Sequence, residues 1–136
     1  MSVFVDTSAF VALFEEDDEF HRAARATWNR LLDDDIELRT SSYVVPETVA
    51  VLQRRSGMEA ARAFLQLALP LVYVDWVAAQ IQAAAQPLFI ALNRRDLSLV
   101  DCVSFELMRE LGIRTAFTFD PHFGEQGFTC LPDGPG

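Results

Sequence analysis

Three short apolar runs in this chain stop abruptly on an aspartate, and helical stretches separate them. The runs are residues 2–5 before Asp6, residues 71–74 before Asp75, and residues 114–119 before Asp120. Apolar strands that alternate with helices of about 10–15 residues call for crossover connections, and these build a mostly parallel sheet with helices on both faces. In such sheets ligands gather at the carboxyl ends of the strands. The three aspartates stand at those ends.

Residues 97–123, LSLVDCVSFELMRELGIRTAFTFDPHF, are the most explicit helix–turn–strand unit. Ser98 followed by Asp101 forms a capping-box-like start. Val100, Val103, Leu107 and Leu111 recur at spacings of three and four and give one buried face. Gly112 is the C-cap, and the β-prone run after it ends in Asp120-Pro121. Packing this helix on this strand brings Asp101 and Asp120 to the same end of the unit. Two carboxylates in one place repel each other. A divalent cation removes that cost.

The remaining elements follow in order. Residues 7–14 read as a short helix, 19–32 as a second, and 36–39 as a strand. Ser41 and Ser42 can cap a helix that runs to residue 55, with Pro46 in its first turns, where proline is tolerated. Gly57 separates it from a helix over 58–69, and the strand over 71–74 leads into a long helix over 76–92 that contains Pro87. A final strand over 128–131 precedes a Pro/Gly tail, and residues 132–136 are expected to fray. With 136 residues the chain has the size of a single domain, here 1–136.

Composition narrows the function. Hydrophobic residues make up 51% of the chain, which suits a folded protein. No window is long and apolar enough for a membrane span, and the first residues lack the features of a signal peptide, so a cytoplasmic location is expected. Cys102 and Cys130 form neither a disulfide framework nor a zinc site. The net charge is −9, with 20 acidic residues against 11 basic ones, all arginine. Such a chain is repelled by nucleic acid unless metal ions or a local basic patch intervene.

Each strand-end or helix-start acid also has a purely structural reading. Asp6, Asp75 and Asp120 can cap the helix or turn behind them. Asp75 is assigned to that role, since a long helix is expected directly after it. Glu47 lies in a first helical turn, where the macrodipole favours acids, and Asp101 belongs to the capping box. As a set, four carboxylates at strand ends and helix starts without a His/Cys cluster suit a hard cation such as Mg²⁺ or Mn²⁺. His21 reads as a surface helix residue and His122 as a loop residue near Asp120.

Four segments, VFVDTSAF, SSYVVPET, LSLVDCVSF and TFDPHF, together resemble the PIN domain. Within that family the chain is most similar to the VapC-type ribonuclease toxins of bacterial and archaeal toxin–antitoxin pairs. The similarity spans residues 2 to about 131, with the motifs in the family's order. It implies a three-layer α/β/α sandwich, an acid cluster that binds Mg²⁺ or Mn²⁺, and cleavage of RNA. The family's metal-binding and catalytic positions fall on Asp6, Glu47, Asp101 and Asp120. Ser8 and Thr118 match the small polar positions beside the metal, and Asp96 matches none.

On that resemblance, the expected activity is metal-dependent endoribonucleolytic hydrolysis, with one or two ions and with Glu47 either a ligand or a water-orienting group. Arg54, Arg55, Arg94 and Arg95 are the candidates for the RNA backbone, with solvated surface charge as the other reading. Expected partners are RNA, a cognate antitoxin and a second copy of the chain. The helices over 42–55 and 58–69, with Val44, Val45, Val51, Phe64 and Leu67, are the expected interface. The alternatives are a PIN-like nuclease or phosphatase outside a toxin–antitoxin pair, and a non-catalytic interaction module.

Overall fold

β1 (Ser2–Val5) runs through the centre of the molecule, and its Val3, Phe4 and Val5 are fully buried. A strand buried on both faces needs an apolar run rather than an alternating one, and SVFV supplies it. The computed structural model describes residues 1–133. β2 (Glu37–Ser41), β3 (Tyr73–Asp75), β4 (Thr115–Phe117) and β5 (Thr129–Leu131) complete a five-stranded sheet of order β3-β2-β1-β4-β5. Every pairing in it is parallel.

The chain steps from β1 outward to β2 and β3, then returns past β1 to β4 and β5. Right-handed crossovers in opposite directions place their helices on opposite faces of the sheet. One layer holds α1 (Thr7–Phe14), α2 (His21–Asp33), α3 (Val44–Ser56) and α4 (Met58–Ala63). The other holds α5 (Ala79–Leu92), α6 (Leu99–Leu111) and the short α7 (Pro121–Glu125). The result is the expected α/β/α sandwich. Its direction of winding reverses between β1 and β4, and that switch point opens a crevice at the carboxyl edge of the sheet. Asp6 follows β1 and Asp120 follows β4, so both stand beside it.

Aromatic side chains fill the core. Phe10 meets Phe64 edge-on at a centroid distance of 4.8 Å, and Phe105 meets Phe123 at 4.9 Å. These contacts fasten α1 to the segment after α4, and α6 to α7. The α6 start is the capping box its sequence suggests: Asp101 N–H donates to Ser98 Oγ and Ser98 N–H donates to Asp101 Oδ2, each at 3.0 Å. Gly112 ends α6 with φ +69°, a conformation that disfavours any side chain.

Several boundaries differ from expectation. The 58–69 helix is α-helical only to Ala63; Phe64–Ala68 widens into a π-helical turn and Leu69–Leu71 tightens into a 3₁₀ turn that takes Pro70 at its start. β3 therefore starts at Tyr73, and α5 starts at Ala79 rather than at residue 76. Asp75 is not a helix cap. It ends β3, and Arg39 on the neighbouring strand grips both its carboxyl oxygens, Nε to Oδ2 at 2.9 Å and Nη2 to Oδ1 at 2.6 Å. Pairing across a parallel ladder, Ser41 opposite Asp75, brings Arg39 within reach, and no local sequence signal announces it. Of the residues expected at an interface, Val44 and Phe64 are fully buried core, Val45 and Val51 pack against that core, and Leu67 is 67% exposed. Within the tail expected to fray, residues 134–136 lie outside the described residues.

Candidate active site

β1 delivers Asp6 to the carboxyl edge, and the Asp6 N–H donates to Phe117 O at 3.0 Å, so the two strand ends are tied together there. Asp6 is also the N-cap of α1. Its Oδ2 accepts from Ser8 N–H at 3.3 Å, Ser8 Oγ–H at 2.8 Å and Thr118 Oγ1–H at 3.0 Å. Asp120 caps α7, its Oδ1 accepting from His122 N–H at 2.9 Å, and its own N–H donates to Thr118 Oγ1 at 3.0 Å. Asp101 enters from the first turn of α6 and Glu47 from the first turn of α3. All four acids line one cleft of about 470 Å³.

The three aspartates are held alike. Each gives one carboxyl oxygen to the protein: Oδ2 of Asp6, Oδ2 of Asp101 and Oδ1 of Asp120. The other oxygen of each has no hydrogen-bond partner among the described residues and is not sealed from solvent. Glu47 accepts no hydrogen bond of good geometry from the described residues. The neighbouring Thr7 hydroxyl is buried and equally without a well-formed bond.

Burial makes these charges expensive. Asp6, only 3% exposed, has its pKa pushed up to about 7, first by burial and then by the charge of Asp101, with Asp120 adding to it. Ser8 and Thr118 oppose that rise by hydrogen-bonding the charged form. Asp101 is raised by burial and by Asp120, against the pull of the Ser98 bonds. Glu47 is raised by burial and by Asp101, with Thr7 acting the other way. The acids therefore sense one another across the cleft.

The donor set tests what the cleft can hold. Three free carboxylate oxygens, a fourth carboxyl and a buried, unbonded hydroxyl are all hard oxygen donors. Among the described residues no three acidic, His or Cys side chains are close enough to clasp one ion unaided. Mg²⁺ commonly keeps several waters and takes only one or two carboxylates directly, so the arrangement fits a partly hydrated cation of that kind.

Ser8 and Thr118 lie where the motifs suggest, with their hydroxyls 3.1 Å apart. Of the four arginines, only Arg55 lines the cleft, at 3.9 Å from Glu15. Arg54 is exposed on α3 away from the lining. Arg94 is engaged by Glu125 at 2.6 Å and Asp96 at 3.6 Å, and Arg95 lines a separate groove at the end of α5.

His122 is not a loop residue. It is buried in α7, with Nδ1 at 3.2 Å from Glu125 and Nε2 at 3.3 Å from Asp96 and 3.8 Å from Asp120. Burial opposes its charging, but those acids outweigh it and hold the pKa above the usual value. The signal was present in the sequence: Asp120-Pro121 is an N-cap followed by proline at N1, a helix start that places His122 in the first turn.

The PIN domain family model matches residues 3–128. The chain belongs to the PIN-domain family. It is 35% identical over 127 residues to the 23S rRNA-specific endonuclease VapC20 of Mycobacterium tuberculosis, covering 93% of this chain and 95% of that protein. The crystal structure of that VapC20, described as a sarcin–ricin-loop-cleaving toxin, superposes with a TM-score of 0.80 over 93% of this chain and 96% of its own. VapBC2 from Rickettsia felis, bound to a promoter DNA fragment, matches with a TM-score of 0.71 at 12% identity over 96% and 97% of the two chains. FitAcB from Neisseria gonorrhoeae matches at 0.63 and 16% identity, over 96% of each. Those two likenesses establish the PIN fold alone.

Proposed function

We propose that this PIN domain is a metal-dependent endoribonuclease and the toxin of a toxin–antitoxin pair. The observation that carries the reading is the convergence of Asp6, Glu47, Asp101 and Asp120 on one cleft, in a chain 35% identical to an rRNA endonuclease. Mg²⁺ or Mn²⁺, when bound, supplies a Lewis acid that activates water and offsets charge on the phosphoryl oxygens.

The chain's own groups do the rest. Asp6, Asp101 and Asp120 would hold a hydrated cation through their free oxygens, in part by way of its waters, and Ser8, Thr118, Ser98 and the His122 N–H fix the orientation of those carboxyls. Glu47 is the acid without a well-formed bond to the protein. It is therefore the group left to orient the attacking water or take its proton. Thr7 and Ser8 at the start of α1 line the same cleft, where a phosphodiester would meet the acids. An antitoxin segment that covers the cleft would silence all of these groups together. A second copy of the chain completes the proposal, with the exposed Leu67, Leu71, Tyr73 and Trp76 providing apolar surface near the β3 edge.

The test is cleavage of rRNA, single-stranded DNA and a phosphomonoester in parallel. RNA should be cut with Mg²⁺ or Mn²⁺ and not with EDTA, and Asp6→Asn should lose nearly all of that activity. Cutting that persists in EDTA, or an Asp6→Asn protein as active as the parent, would refute the assignment. Sedimentation that finds only monomer at micromolar concentration would remove the dimer.

A further inference from the structure

Phe20 stands at the N-cap of α2, makes no capping hydrogen bond, and is 40% exposed. That position prefers Ser, Thr, Asp or Asn, and an exposed phenylalanine there helps neither the helix nor solubility. The ring is nevertheless held in place. It stacks on Phe119 with centroids 4.7 Å apart and planes 9° from parallel, and its own N–H donates to Asp18 Oδ1 at 2.8 Å. Phe119 is fastened in turn to the acid cluster: its N–H donates at 2.9 Å to Ser8 Oγ, the hydroxyl that bonds Asp6. Behind it, Phe117 meets Phe119 edge-on at 6.1 Å. A tier of aromatic rings thus climbs from the core to the rim of the acidic cleft.

Phe20, Phe119 and Asp120 line that cleft and also an adjoining, more apolar groove of about 410 Å³, walled by Pro121, Cys130 and Pro132. Phosphate contacts are scarce here, since Arg55 is the one basic residue among the described residues that line the cleft, in a chain of charge −9. Beyond a cation in the cleft and Arg55, an acidic ribonuclease gains from contacts that need no counter-charge. Stacking of a base on an aromatic ring serves this purpose, because every base has a π-face and the interaction needs no cation.

We propose that the Phe20–Phe119 pair is a stacking platform for an unpaired base of the RNA, which enters the groove beside the scissile phosphate. The inference rests on the ribonuclease reading and assigns that site a base subsite. It selects a substrate whose base is free of its helix, and it makes binding less dependent on salt than phosphate contacts would.

The decisive measurement uses short single-stranded oligoribonucleotides carrying 2-aminopurine at successive positions, with Ca²⁺ in place of Mg²⁺ to limit cutting. The parent should quench the fluorophore strongly at one position. Phe20→Leu, which keeps apolar bulk but has no π-face, should lose that quenching and bind about ten- to a hundred-fold more weakly. Phe20→Trp should restore both, and unchanged thermal melting of Phe20→Leu would separate stacking from folding. In Mg²⁺, kcat/KM for RNA should fall in step. Equal binding by parent and Phe20→Leu, or absence of position-specific quenching, would overturn the platform. So would a Phe20→Leu protein that binds RNA normally but has lost a protein partner, since the rings would then be a peptide-docking surface. Phe20-dependent quenching without any cleavage in Mg²⁺ would uphold the platform and refute the nuclease.

Discussion

Asp6→Asn should make the metal-free protein more stable, and the gain should depend on pH in a defined direction. In the folded chain the Asp6 pKa is raised from 3.8 to about 7. The unfolded chain therefore releases this proton near pH 4, while the folded chain keeps it until about pH 7. A folded state that binds the extra proton loses stability as pH rises through that window, and the loss levels off above it. Below about pH 4 both states are protonated and the penalty vanishes. The rise from 3.8 to about 7, at about 1.4 kcal/mol for each tenfold in proton affinity, gives roughly 4 kcal/mol at full development. Asparagine carries no such penalty. Its carbonyl can still accept from Ser8 and Thr118, and its amide would occupy the position of the oxygen that faces the cleft.

The assay is urea unfolding in EDTA, followed by far-ultraviolet circular dichroism, for parent and variant near pH 4 and near pH 8. The two should be nearly equally stable at the lower pH. At the higher, Asp6→Asn should lead by up to about 4 kcal/mol, a difference in melting temperature on the order of 10 °C for a domain of this size. Asp101 and Glu47 are shifted in the same direction, so the variant should retain some pH dependence of its own. Adding Mg²⁺ should narrow the gap, because the parent gains more binding free energy from it than a variant with one carboxylate fewer. Should the two proteins lose stability in parallel between the two pH values, the cleft would not be the source of strain and the reasoning from burial and repulsion would fail.

Two further substitutions separate the site from the scaffold. Thr118→Val removes the hydroxyl that donates to Asp6 and accepts from the Asp120 N–H; Mn²⁺ affinity, measured by calorimetry, should fall about ten-fold or more while the fold persists. Asp75→Asn weakens the two-point grip of Arg39 and should cost about 1 kcal/mol in urea unfolding, yet leave RNA cleavage close to the parent rate, since Asp75 lines no part of the cleft.

What the sequence could disclose follows from how local each interaction is. The parallel sheet, the α6 capping box and the Gly112 cap are each signalled within a few residues, and they appear where expected. Asp75 and Asp6 looked alike in sequence because both end an apolar strand; strand order separates them. Asp6 ends the central strand at the switch point, whereas Asp75 ends an edge strand beside Arg39. The interface guess failed at Val44 and Phe64 because apolar content does not say which face of a helix turns inward. The π-helical turn after Ala63 rotates that face further. At the site, capping and ligation are not competing explanations. Asp6, Asp101 and Asp120 each cap or brace a helix start with one oxygen, and this is what aims the other into the cleft. A structural role for each acid taken singly is therefore no argument against a shared site, because the cap also sets the geometry that a metal ligand would need.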